Sequence, residues 1–124
     1  MALPAWPRLP SMKVPLFDNG TVYLCRDFEE WSAVHAAAGL AVDDDHRHSS
    51  GLCRYIYHRT KRRYVVCINS GKASTLAHEL AHISFEICNL AGVPCREGEG
   101  NETFCYLLGA LMTHFLPHIK KPAE

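Results

Sequence analysis

The stretch Ser74-Thr75-Leu76-Ala77-His78-Glu79-Leu80-Ala81-His82-Ile83-Ser84-Phe85-Glu86-Ile87-Cys88-Asn89-Leu90-Ala91-Gly92 decides the reading of this chain. Its periodicity predicts one long helix from about Ser74 to Ala91. Ser74 or Thr75 is the expected N-cap, and Gly92 followed by Pro94 is the stop. At about 100° per residue, Leu76, Leu80, Ile83, Ile87 and Leu90 form an apolar stripe, and Ala77, Ala81, Phe85 and Cys88 fill a second arc. Such a helix is expected to be central and buried, with one polar seam: His78, Glu79, His82, Glu86 and Asn89. Residues four apart sit one turn above each other, so the imidazoles of His78 and His82 face one point that can hold a metal, with Glu79 between them.

Working outward, Asp18-Asn19-Gly20 is a turn and Thr21 to Cys25 a short strand. A helix then opens at Asp27, with Glu30 three residues on in a capping-box pattern, and ends near Gly39. The polar segment from Asp43 to Gly51 reads as a loop; its cluster Asp43-Asp44-Asp45-His46-Arg47-His48 is a solvated loop before it is a second metal site. Two β-type runs, Cys53 to His58 and Arg63 to Asn69, flank a basic tip and predict an antiparallel hairpin. A final helix is expected from about Asn101 to Phe115. The fold class is therefore α+β, a small antiparallel sheet packed with the His-bearing helix and a following helix that carries Glu102. Residues 1–17, proline-rich and aperiodic, read as an extended arm, and 18–124 as a single domain.

Composition narrows the classes. The 124 residues suit one core, and 48% apolar with 21% charged residues is ordinary for a folded soluble protein. Thirteen basic side chains balance thirteen acidic ones, so no global field favours nucleic acid or an anionic membrane. No apolar stretch has the length of a membrane span, and the proline-interrupted start lacks the apolar core of a signal peptide, which predicts a cytoplasmic protein. The six cysteines are accordingly expected to be reduced, and no C-x-x-C pair points to a structural zinc site.

Catalytic zinc takes three protein ligands and leaves a position open. The metzincin pattern requires a histidine six residues after His82, where Cys88 stands, and an aspartate ligand downstream is impossible because Asp45 is the last aspartate. Glu86, Glu97, Glu99 and Glu102 remain, and Glu102 at the start of the last helix is the best placed. From Thr75 to Leu108 the chain resembles the gluzincin metallopeptidases: H-E-x-x-H at His78 to His82, then the pair Asn101-Glu102 twenty residues on, as in the thermolysin type. It also resembles small metallopeptidase-like proteins of phages and prophages. One position departs from the thermolysin pattern, since Tyr106 replaces an aspartate four residues after the glutamate ligand.

The resemblance implies a zinc peptidase in which His78, His82 and Glu102 hold the metal and Glu79 is the general base. A donor for the oxyanion is needed as well, with Tyr106 ranked ahead of His114 and His118. The strand Arg63 to Asn69 offers an edge for an extended polypeptide substrate. Two alternatives stand beside it. The ImmA/IrrE-type repressor-cleaving peptidases join the same motif to a later glutamate, and a zinc-stabilised protein-binding module needs the metal but no turnover.

Overall fold

The run Tyr64-Val65-Val66-Cys67-Ile68 shows no alternation of polar and apolar residues, and all five side chains are fully buried. A strand of that kind belongs inside a sheet covered on both faces. The computed structural model describes residues 2–96 and 101–120. Its strands are β1 (Ser11–Lys13), β2 (Thr21–Cys25), β3 (Gly51–His58) and β4 (Lys61–Ile68), and its helices α1 (Phe28–Ala38), α2 (Ala73–Ala91) and α3 (Glu102–Phe115). Short 3-10 turns lie at Asp44–His48 and Leu116–His118. The class is α+β, as the sequence predicts.

Two expectations about the sheet need correction. Its strand order is β1-β2-β4-β3, and β2 runs parallel to β4, from Thr21 opposite Arg63 to Cys25 opposite Cys67; only β1–β2 and β3–β4 are antiparallel. The sheet is therefore mixed. Local hairpin signals foretell antiparallel neighbours, whereas a parallel pair needs a long crossover, which α1 and the following loop supply. The second correction concerns the free edge: β4 is interior, and among the described residues the outer side of its neighbour β3 is unpaired. The predicted arm contributes to the same sheet, since Ser11–Lys13 pairs with β2 and Val14 is buried in the core.

The faces of β4 divide the core. Tyr64, Val66 and Ile68 join Val22 and Leu24 against Leu76, Leu80, Ile83 and Ile87 of α2 and Leu107, Leu111 and Phe115 of α3. Val65 and Cys67 join Cys25 and Ile56 against Phe28, Trp31 and Val34 of α1. Each fully buried aliphatic side chain contributes about 1.5–3 kcal/mol, so the four α2 residues hold that helix firmly on the sheet. Leu90, placed in the same stripe by periodicity, is half-exposed at the helix end. All six cysteines are free thiols; burial pushes Cys25 upward and Cys67 to about 12. No helix among the described residues is long and apolar enough to cross a membrane.

Helix ends follow from their caps. Gly92 at φ 72° closes α2, a left-handed conformation that favours glycine. The N-terminus of α2 differs from expectation: Lys72 is the cap, without a side-chain hydrogen bond, and Thr75 is already helical, its hydroxyl accepting from Ser70 Oγ at 2.8 Å. At α1 the Glu30 N–H donates to Asp27 Oδ1 at 2.9 Å, while Glu30 Oε1 accepts from the Arg26 N–H at 2.8 Å. The box thus closes one residue earlier than in the usual pattern. Burial alone would raise the Asp27 carboxyl, but Lys120 at 2.6 Å and the Glu30 N–H outweigh it and hold it below its ordinary value.

Replacing Asp27 by Ala is expected to cost about 1 kcal/mol of stability at neutral pH, measured by urea unfolding. Because the folded carboxyl is depressed, its contribution is present above the ordinary value of about 4 and is lost as pH falls through the lower folded one. The gap between wild type and variant should therefore narrow below about pH 4.

Candidate functional site

The buried stripe of α2 turns the opposite side of the helix outward. His78 and His82, one turn apart, are exposed there, their ring centroids 4.9 Å apart and their planes at 80°. Glu79 faces another way. Its side chain is 6% exposed and lies against the start of β3, and its Oε2 is buried without a hydrogen-bond partner among the described residues. A carboxylate oxygen left in that state costs on the order of 1–3 kcal/mol or more, and such an atom calls for an explanation.

Gly51 creates this arrangement. A Cβ there would fall 2.5 Å from Thr75 Cγ2 and 2.9 Å from Glu79 Cγ. Only a glycine lets β3 approach α2 so closely. Two open hollows meet at the contact. The first, about 470 Å³, is lined by Ser49, Ser50, Gly51, Thr75, His78 and Glu79 among others. The second, about 520 Å³, continues along β3 past Cys53 and Tyr55 and takes in Glu79, His82 and Glu86. Together they form a trough along the seam of α2 and β3, with Glu79 common to both. Burial, with the Glu79 charge adding to it, pushes the Cys53 thiol to about 11.

Of the residues singled out from sequence, His78, Glu79 and His82 share this trough, and Glu86 joins them one turn beyond His82. Glu102 is exposed in the first turn of α3. That turn is joined to α2 by the stack of Phe104 on Phe85, at 4.3 Å and 28°, three residues past His82. Glu97 and Glu99 lie outside the described residues. Among the described residues, no three His, Cys, Asp or Glu side chains are grouped so as to hold a metal ion. Tyr106 lines a separate hollow with Met12, Thr113 and His114, which shares no residue with those around Glu79. His114 is engaged there, its Nε2 2.7 Å from the Ser11 carbonyl oxygen.

Cys88 is in the core. The Asp43–His48 cluster is a surface turn pinned to α1 by Arg47, which pairs with Glu29 at 3.0 Å and lies 4.6 Å over the Phe28 ring. None of its histidines lines the trough. Sequence reasoning missed Gly51 and Thr75. A glycine opening an otherwise β-rich run is a known sign of close backbone approach, and that signal was present. No family model matches the chain, and no curated protein and no solved structure is significantly similar to it.

Gly51→Ala should push β3 from α2 and destabilise the protein by about 1–3 kcal/mol, read by thermal or urea unfolding. An unchanged stability would mean that the seam has slack and that Glu79 is not wedged by it.

Proposed function

We propose that this chain is a zinc-dependent metallopeptidase, with His78, His82 and Glu102 holding the metal and Glu79 moving the proton. The observation that carries the reading is Glu79 Oε2: a buried acid atom with no partner among the described residues, in a trough between two neighbouring histidines and the outer edge of β3. The donor set suits zinc, since two exposed imidazoles at i and i+4 with a carboxylate from another helix give the N, N, O combination of catalytic sites. The Phe85–Phe104 stack supports Glu102 as the carboxylate, because it ties the first turn of α3 to the histidine-bearing part of α2. A zinc ion bound there supplies Lewis acidity towards water and towards a carbonyl oxygen.

The chain's own groups supply the rest. Oε2 of Glu79 accepts a proton from water as it attacks the peptide carbon, and the same oxygen returns it to the leaving amine. No hydrogen bond among the described residues competes with either transfer. The outer edge of β3 offers main-chain N–H and C=O groups beside Glu79, on which an extended polypeptide pairs as an added strand. Tyr106 is left out of this assignment, because its hollow shares no residue with the trough.

Glu79→Gln should keep the fold and one zinc per chain while lowering hydrolysis of a peptide library by at least about 10²-fold. If biological activity survives that change, the protein works by binding and the peptidase reading fails. His82→Ala should lose zinc outright. Glu102→Ala and Glu86→Ala, compared for zinc affinity, identify the third ligand: the larger loss is expected for Glu102, and a larger loss for Glu86 would place all three ligands on α2.

A further inference from the structure

A hollow of about 780 Å³ lies away from the trough, between the turn that precedes β2 and the β3–β4 hairpin. Four cations line it, Lys13, Lys61, Arg62 and Arg63, against one carboxylate, Asp18. None of the ion pairs among the described residues engages any of the four. In a chain of zero net charge this is a strong local asymmetry.

The hollow also holds buried polar atoms without partners. Asn19 Oδ1 and Arg63 Nε are both buried and unbonded among the described residues. The guanidinium carbon of Arg63 sits 4.0 Å over the Trp6 ring, a stack that fixes its plane. The tip of the β3–β4 hairpin is the two-residue turn Arg59-Thr60, at φ 51° and 61°, the left-handed pair that a hairpin loop of this length requires.

One element connects the hollow to the trough. Strand β3 borders Glu79 at Gly51 and Cys53 and borders the hollow at Tyr55 and Tyr57, six residues or about 20 Å from one end to the other. We propose that the hollow binds an acidic segment of a polypeptide whose main chain lies along the outer edge of β3. The carboxylates pair with Lys61, Arg62 and Arg63, and the tyrosines flank the bound chain. A free strand edge recognises main-chain amides, which nucleic acids lack. As a binding site the hollow is independent of catalysis; as a selector of acidic substrates it rests on the peptidase reading above.

The test is the binding of a fluorescent eight-glutamate peptide to the full chain, followed by anisotropy, with an eight-lysine peptide and an eight-thymidine DNA strand as comparisons. The glutamate peptide should bind and the lysine peptide should not. Lys61→Ala with Arg62→Ala, both exposed and removable without loss of core, should weaken binding about tenfold or more, and added salt should weaken it further. Lys72→Ala, an exposed cation that lines neither the hollow nor the trough, should leave the affinity unchanged. The proposal is overturned if the glutamate peptide does not bind, if the double variant binds it equally, if Lys72→Ala weakens it as much, or if the DNA strand binds more tightly and responds to the double variant. A protein that binds the glutamate peptide but hydrolyses no peptide keeps the hollow and loses the peptidase reading. One that hydrolyses peptides without binding it does the reverse.

Discussion

Strand β4 offers no face to water: Tyr64, Val66 and Ile68 fill one half of the core, and Val65 and Cys67 the other. A strand buried on both faces must have a layer above and a layer below, and it must be paired on both edges. In so short a chain that constraint uses nearly every element available. Helix α1 covers one face, α2 and α3 cover the other, β2 takes one edge and β3 the second. Once β3 is committed as the last strand of the sheet, its own outer edge is left over. The free edge, the trough and the basic hollow all follow from that remainder.

The packing also explains why polar atoms are stranded where they are. Among the described residues, the buried side-chain atoms without partners are Trp6 Nε1, Asn19 Oδ1, Arg63 Nε, Tyr64 Oη and Glu79 Oε2. Four of the five gather at the hairpin end of the sheet: Arg63 lies over Trp6, and the Tyr64 ring comes within 2.9 Å of where a Cβ on Gly20, next to Asn19, would stand. Burial pushes the Tyr64 hydroxyl to about 12, so it remains a neutral donor in this setting. The fifth atom is Glu79 Oε2, alone at the other end of β3. Each such unsatisfied group costs about 1–3 kcal/mol, which makes their concentration at two ends of the sheet informative.

Local signals made most of the elements legible. Gly39 and Gly92 mark helix ends because a left-handed residue is needed there, and Asp27 with Glu30 marks a helix start because short-range hydrogen bonds set it. The polar seam of α2 was equally readable, since a helix angle depends on sequence spacing alone. What spacing could not give was pairing. The parallel match of β2 with β4 depends on where α1 returns the chain, and the place of β4 just before the His-bearing helix suggested an edge although its unbroken apolar run belongs inside. The same applies to Tyr106, whose helical angle lies near that of Glu102 but whose hollow is a different one. Asn19 and Arg63 carry no pattern at all; only the fold buries them.

Helix α2 forms one wall of the trough and β3 the other, and both are already fixed by the core. On the proposed reading, recognition comes from surfaces the core leaves free: the main-chain edge of β3, open to any extended chain, and the charged residues near its hairpin, which are not. The first gives binding without selectivity and the second gives selectivity at a distance. Because β3 is antiparallel to β4 throughout its length, with Gly51 opposite Ile68 and His58 opposite Lys61, the two features cannot drift in register relative to each other. The spacing between Glu79 and the basic hollow is therefore a property of the strand, and a substitution at the hairpin can alter which chains are held without altering the seam that positions Glu79.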